Sequence, residues 1–108
     1  MERYKVIISP EARSDMRDIA RYISADLREP AAAERTAVRL GEAAFSLKTM
    51  PDRYPLVSDG YLASRGIRAA SAGNYLLFYA ANSRTKEVNV FRVLYGKRDW
   101  VSILTKDL

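Results

Sequence analysis

Two amphipathic segments, each opened by a proline, constrain the fold of this chain more than any other feature. Apolar residues recur three or four positions apart over 12–27 and again over 33–47, which is the spacing of one face of an α-helix. Ser9-Pro10 supplies an N-cap and a first helical residue, Glu29-Pro30 separates the two segments, and Met50-Pro51 ends the second. Because the break between them is short, the sequence predicts an antiparallel helical hairpin.

Short runs rich in β-branched and aromatic residues surround the hairpin and predict four strands. The four runs cover residues 4–8, 65–71, 75–81 and 87–94. Residues 51–64 hold proline and glycine without a clear period and predict a loop, and Asp99 can cap a last short helix. The predicted order is β-α-α-β-β-β-α, an α+β fold in which the helical hairpin packs on one face of a mostly antiparallel four-stranded sheet.

Length and composition exclude several classes of protein. With 108 residues, of which 48% are hydrophobic, the chain is expected to form one domain over residues 1–108. It contains no Cys and no His, which excludes thiol nucleophiles, Ser-His-Asp triads and zinc fingers, and we expect neither a cofactor nor a metal. The longest apolar run has seven residues, far fewer than the roughly 18 that span a membrane. Without a signal-peptide pattern, a cytoplasmic location is expected.

The positive charge is confined to the second half of the chain. Residues 1–59 carry ten basic and ten acidic side chains, whereas residues 60–108 carry eight basic and three acidic ones, so the whole net charge of +5 lies there. One interpretation is an ordinary solvated surface. The other is a basic face for an anionic partner, either nucleic acid or an acidic protein segment.

Side-chain alternation places some of these charges on a sheet face. If Phe91 and Val93 face the helices, Arg92 points to the opposite side. Arginines interleaved with aromatic rings suit RNA or single-stranded nucleic acid, and an acidic protein almost as well. Tyr75 and Tyr79 can equally be aromatics at the edge of the core. The residues that can form this face are Arg68, Arg92, Tyr75, Tyr79, Tyr95, Lys97 and Arg98.

The order of elements and several short motifs resemble the RelE/ParE superfamily of toxins from bacterial type II toxin–antitoxin modules, which stabilise plasmids. The resemblance covers nearly the whole chain. It implies a growth-arresting toxin that forms a hetero-oligomer with a cognate antitoxin, whose extended C-terminal segment wraps the working surface. The motifs are Tyr4-Lys5-Val6, Pro10-Glu11-Ala12, Gly66-Ile67-Arg68, Gly73-Asn74-Tyr75 and Arg92 through Asp99. The target-binding and antitoxin-binding residues that it implies are Arg65, Arg68, Tyr79, Arg92, Lys97 and Arg98.

The superfamily includes two mechanisms, and the first is cleavage of RNA. RelE-type members are endoribonucleases that cut mRNA on the ribosome, using Arg and Lys to stabilise the scissile phosphate and Tyr or His to move the proton. Two positions depart from that pattern, because the middle-strand arginine falls at or near Leu76 and the C-terminal tyrosine falls on Leu104. If this chain is a nuclease, its catalytic residues are Arg98, Lys97, Arg68 and Tyr95.

The second mechanism is binding without chemistry. ParE-type members inhibit DNA gyrase and need no nuclease site, and the Arg92-Val93-Leu94 stretch resembles theirs. The Gly96-Lys97-Arg98-Asp99 stretch is shared with RelE-like members. We favour inhibition of gyrase or another target, with mRNA cleavage as the alternative and a member that only binds its antitoxin as a third hypothesis.

Overall fold

A computed structural model describes residues 3–107 as four helices and four strands. In chain order these are β1 (Lys5–Ile8), α1 (Pro10–Arg21), α2 (Pro30–Ser46), α3 (Gly60–Ser64), β2 (Arg68–Ala72), β3 (Tyr75–Asn82), β4 (Glu87–Tyr95) and α4 (Trp100–Asp107). A π-helical turn, Tyr22–Asp26, follows α1, and a 3₁₀ turn, Pro51–Arg53, follows α2. The α+β fold with its helical hairpin is therefore confirmed, with α3 as an addition. Within residues 3–107, no helix has the length and apolar character needed to cross a membrane.

The four strands form one sheet in the order β1-β4-β3-β2. β1 runs parallel to β4, while the β4–β3 and β3–β2 pairs are antiparallel. The mostly antiparallel sheet that the sequence predicts is confirmed, and its parallel pair arises because α1 and α2 lie between β1 and the hairpins of the second half.

The helical hairpin covers one face of the sheet through small and branched apolar residues. The Ser9 hydroxyl accepts a hydrogen bond from the Ala12 N–H (3.0 Å) and caps α1 as predicted. On α2, Leu40 and Ala44 are buried, whereas Ala37 is exposed. The buried residues of the two helices pack against the strands and form the first core. Its buried members are Ala12, Leu40, Ala44, Leu47, Ala70, Ala72, Leu77, Tyr79, Val88, Val90 and Val93.

The opposite face of the sheet carries a second core and is not an open basic surface. Phe78 and Leu94, which are 0% and 2% exposed, lie there beneath α4. Trp100 of α4 stacks at a tilt on Phe78, with 5.2 Å between the ring centroids. The remaining buried members of this second core are Val57, Leu62, Ile67 and Leu104.

A β-bulge in β4 changes which side chains share a face. Phe78 pairs with Arg92, but the next residue of β3, Tyr79, pairs with Val90, so Phe91 is the extra residue. Val90 and Val93 therefore both join the first core, while Phe91 packs against the second. The expectation that Phe91 and Val93 face the same way was wrong, because strict alternation does not hold across a bulge.

The segment predicted as a loop, residues 51–64, contains α3. The Asp59 carboxylate accepts a hydrogen bond from the Leu62 N–H (3.0 Å) and caps this helix, and Leu62 is fully buried. Within this segment Tyr54 packs against the first core, whereas Leu56 is 45% exposed.

Candidate functional site

A groove of about 700 Å³ opens between the C-terminal half of α1 and the ends of β3 and β4. It combines aromatic, apolar and charged side chains in one concave surface. The residues that line it are Asp15, Asp18, Ile19, Tyr22, Leu27, Asn74, Tyr75, Val93, Leu94, Tyr95 and Arg98.

The π-helical turn shapes one wall of the groove. The Leu27 N–H donates to the Tyr22 carbonyl (3.1 Å) across five residues, which inserts one residue into the helical turn. Ile23 stays buried, while Tyr22 and Leu27 are 52% and 50% exposed on the groove side. The turn therefore brings an aromatic ring and an apolar side chain to the surface, beyond the end of the regular amphipathic helix.

Two paired tyrosines form the other wall. Tyr75 and Tyr95 are opposite each other in the β3–β4 register, with their rings edge to face and 6.0 Å between centroids. Burial, aided by the nearby Tyr95 and Tyr22, raises the pKa of the Tyr75 hydroxyl above its ordinary value. Tyr75 therefore stays protonated at neutral pH, so it can donate a hydrogen bond but is a poor general base.

Arg98 supplies the positive charge of the groove. It lies just beyond β4, where its backbone N–H donates to the Tyr95 carbonyl (3.0 Å), and its side chain is exposed together with that of Lys97. Within residues 3–107, no hydrogen bond or ion pair engages the Arg98 guanidinium. Asp18 on α1 also lines the groove and pairs only at 3.5 Å with the exposed Arg21. The groove thus offers a partner one free cation beside aromatic walls.

Arg68 is not part of this groove. Its Nη1 donates to the backbone carbonyls of Asp52 (3.2 Å) and Tyr54 (2.5 Å), which fastens the segment after α2 to the sheet. Arg68 pairs with Tyr79, four residues along β3 from the Tyr75 and Tyr95 pair, a separation of about 13 Å along the strand. The structure therefore brings Tyr95 and Arg98 to one groove, with Lys97 beside it, but leaves Arg68 elsewhere.

The side chains of two other predicted binding residues are engaged by partners within the protein. Tyr79 is fully buried, and its hydroxyl donates to the Pro51 carbonyl. Arg92 has an 18% exposed side chain and forms ion pairs with Asp15 and Asp107. Neither presents a free side chain to a partner, so we do not include them in the surface proposed below. Arg65 is exposed at the end of α3, away from the groove.

Some groove residues were not identified as site residues from the sequence. Asn74 stands in a motif of the family resemblance, Tyr22 was not assigned a role, and Leu27 was assigned to the apolar face of the first helix. Tyr22 lies beside the apolar stripe and not on it, which is the one signal in the sequence that could have indicated an exposed aromatic residue. No group of three or more acidic residues within 3–107 is arranged to hold a metal ion.

Solved toxin–antitoxin structures share the architecture of this chain. The chain is similar to the chromosomal ParDE system of P. aeruginosa, with a TM-score of 0.70 and 14% identity over 85% of this chain and 95% of that one. It is also similar to the RelBE2 toxin–antitoxin complex of Mycobacterium tuberculosis (TM-score 0.63, 25% identity, 88% and 93% covered). The isolated RelE toxin of E. coli has a TM-score of 0.52, with 14% identity over 97% and 99% of the two chains.

A family model identifies the chain more narrowly. The model of the ParE toxin of the type II toxin–antitoxin system parDE matches residues 6–100, and the chain belongs to this family. The predicted membership of the RelE/ParE superfamily is confirmed. No curated protein matches the sequence significantly.

Proposed function

We propose that this toxin arrests growth by inhibiting DNA gyrase through binding, without cutting RNA. The observation that carries the proposal is the environment of Leu76 and Leu104, which stand where the resemblance places the nuclease side chains. Leu104 is fully buried in the second core, and Leu76 packs against the same cluster. An alkyl side chain can neither transfer a proton nor stabilise a phosphate, and a buried position cannot contact RNA.

The position of Arg68 gives further support. A nuclease site needs its cations and its proton-transfer group within a few ångströms of one scissile phosphate. Arg68 already donates to two backbone carbonyls, and it is separated from Tyr95 by about 13 Å along the sheet. A binding mechanism requires no such convergence.

We further propose that a cognate antitoxin neutralises the toxin by covering the groove. Lys97 and Arg98 suit an acidic segment, while Tyr22, Tyr75 and Tyr95 provide the aromatic contact area typical of binding hot spots. A segment that occupies this groove would hold the toxin in a hetero-oligomer and exclude its target from the same surface.

A second candidate is ribosome-dependent mRNA cleavage, favoured by one observation. Tyr95 and Arg98 line the same groove, and the Arg98 guanidinium has no ion-pair partner within residues 3–107. In that case Arg98 and Lys97 would stabilise the phosphate and Tyr95 would transfer the proton.

Two assays on the purified chain separate these mechanisms. We expect the toxin to inhibit gyrase supercoiling and to leave the message intact in a cell-free translation reaction. Arg98→Ala should weaken gyrase inhibition by about tenfold or more, the effect expected of an arginine hot spot, where truncation costs about 2 kcal/mol or more. Arg84→Ala is the matched control, since Arg84 is an exposed arginine in the β3–β4 turn, away from the groove.

Two results would contradict the proposal. Cuts within translated codons that disappear in Arg98→Ala would establish the nuclease instead. Unimpaired supercoiling at saturating toxin, together with normal growth on overexpression, would leave a protein that only binds its antitoxin.

A further inference from the structure

The outward side of α2 carries a row of apolar residues that no described element covers. Val38 and Phe45 are 56% and 62% exposed, although the inward side of the same helix is buried in the first core. Ala31, which lies seven residues before Val38 and is also exposed, belongs to the same row. Positions seven apart return to nearly the same side of an α-helix, so Ala31, Val38 and Phe45 form one line along α2.

Charged residues flank this row on both sides with the same spacing. Arg35 and Glu42 form one flank. Glu34 and Gly41 form the other, and just beyond the end of α2 the Lys48 ammonium lies 3.7 Å from the centroid of the Phe45 ring. A Cβ atom built on Gly41 would meet nothing within 4 Å, so a neighbouring helix can approach the backbone closely there.

We propose that this surface of α2 binds α2 of a second copy of the chain, with the two helices antiparallel. The argument is charge complementarity. When the two-fold axis crosses the helices at the level of Val38, Arg35 of one copy lies opposite Glu42 of the other, and the same pair forms a second time by symmetry. In this register Phe45 of one copy covers Ala31 of the other, whereas a parallel arrangement in register would place Phe45 against Phe45 and Ala31 against Ala31.

The other flank is compatible with the same arrangement. In this register Glu34 of one copy lies close to Gly41 of the other, and the open backbone at Gly41 leaves room for its side chain. Ala31, Arg35, Val38 and Glu42 also line a shallow recess of about 500 Å³ that can accept side chains of the second helix. Opposite charges on the flanks and apolar residues in the central row are the pattern that fixes orientation in antiparallel helix pairs.

The contact is independent of the groove and of the gyrase proposal. No residue of α2 lines the groove, so a dimer formed through α2 leaves both grooves accessible. α2 has 17 residues and is therefore about 25 Å long, and one such helix pair is a small interface that gives a weak, concentration-dependent dimer.

Sedimentation velocity of the full chain over a range of concentrations tests this inference. The wild-type protein should shift from monomer to dimer as its concentration rises. Val38→Glu should raise the dissociation constant about tenfold or more, because it buries an unpaired carboxylate. Circular dichroism of each variant shows whether the monomer remains folded, as expected for a residue that is more than half exposed.

A charge exchange provides the sharper test. Arg35→Glu places a carboxylate opposite Glu42 of the second copy, and the repulsion should raise the dissociation constant about fivefold. The double variant Arg35→Glu with Glu42→Arg recreates the opposite-charge pairs and should restore dimerisation to within about twofold. Arg84→Glu, a charge reversal away from α2, should change nothing.

A wild-type chain that remains monomeric at every concentration would overturn the proposal, and so would a double variant as defective as Arg35→Glu. If the chain is monomeric and Val38→Glu weakens binding of the antitoxin, the surface belongs to the antitoxin and the proposal is also wrong.

Discussion

Arg92 on β4 and Asp15 on α1, 77 residues apart, form a two-pronged ion pair with N–O distances of 2.7 and 2.9 Å. The Asp15 carboxylate also accepts the Val93 N–H (2.9 Å). β1 pairs with β4 only as far as Val90, so beyond that point the edge of β4 has no strand beside it. Asp15 substitutes for the missing strand, and the Ser9 hydroxyl does the same by donating to the Phe91 carbonyl (3.1 Å). These contacts hold α1 against the edge of β4 and so position one wall of the groove.

Removing the Asp15 carboxylate should therefore destabilise the fold strongly. Asp15→Ala leaves the Val93 N–H without its partner and the largely buried Arg92 guanidinium with Asp107 alone. We expect a loss of about 3 kcal/mol in the free energy of unfolding, measured by urea denaturation. Asp107→Ala removes the other carboxylate that pairs with Arg92. Because the Asp107 side chain is 39% exposed, its loss should cost less than about 1 kcal/mol. Equal losses in the two variants would contradict this division of roles.

The second core predicts a comparable loss at Leu104. Leu104 is fully buried and anchors α4 over the sheet, so Leu104→Ala should lower the free energy of unfolding by about 3 kcal/mol through lost burial and a residual cavity. Leu56→Ala removes the same atoms from a side chain that is 45% exposed and should cost less than about 1 kcal/mol. If the two variants were equally stable, α4 would not be packed as described.

Much of the fold was predictable because its signals are local. Ser9 and Asp99 cap the helices that follow them, and the Asp99 carboxylate accepts from both the backbone N–H (3.3 Å) and the hydroxyl (2.8 Å) of Ser102. The prolines and the helical spacing of apolar residues located α1 and α2 to within a few residues. The α3 helix escaped prediction because five residues are too few to show a period.

The faces of the sheet were harder to predict, because they depend on pairing between distant residues. The bulge at Phe91 arises from the register between β3 and β4, and no local signal in the sequence marks it. The apolar spacing in α4 did not show which surface this helix would cover. In the structure it covers Phe78 and Leu94, so the sheet face expected to be available to a partner is occupied by the second core.

The residues of the candidate site also differ in how far the sequence alone could place them. Tyr95 and Arg98, both predicted site residues, are close in sequence and both line the groove. Arg68, Tyr79 and Arg92 were expected at a binding surface, yet each side chain is engaged by a partner 14, 28 or 77 residues away. A basic or aromatic residue on a strand indicates a possible surface group, but only the tertiary fold decides whether that group is already paired.

Two glycines predict opposite responses to the same substitution. Gly73, in the β2–β3 turn, has a φ of +60°, and a Cβ atom there would lie 2.9 Å from Arg39 Nη1. Gly73→Ala should therefore destabilise the protein by about 1 kcal/mol, chiefly through the left-handed backbone. Gly41→Ala, in the middle of α2 with open space around it, should stabilise the monomer by about 0.5–1 kcal/mol. Thermal unfolding at low protein concentration measures both, and a shift of the same sign in the two variants would refute this account.

The buried hydroxyl of Tyr79 predicts how stability changes at alkaline pH. Burial raises the pKa of Tyr79 to about 12, whereas in the unfolded chain a tyrosine loses its proton near pH 10. Between these values the unfolded state binds fewer protons than the native state, so this group lowers the stability as the pH rises.

Tyr79→Phe isolates that contribution. At neutral pH the variant should be less stable than the wild type by about 1–2 kcal/mol, because the Pro51 carbonyl loses its donor inside the protein. The variant lacks the ionisable hydroxyl, so this difference should shrink as denaturation is repeated from about pH 9 towards pH 12. Tyr61→Phe serves as the control, since it removes a hydroxyl from a side chain that is 50% exposed. A difference between wild type and Tyr79→Phe that stays constant over this range would show that the Tyr79 hydroxyl ionises as readily in the folded protein as in the unfolded chain.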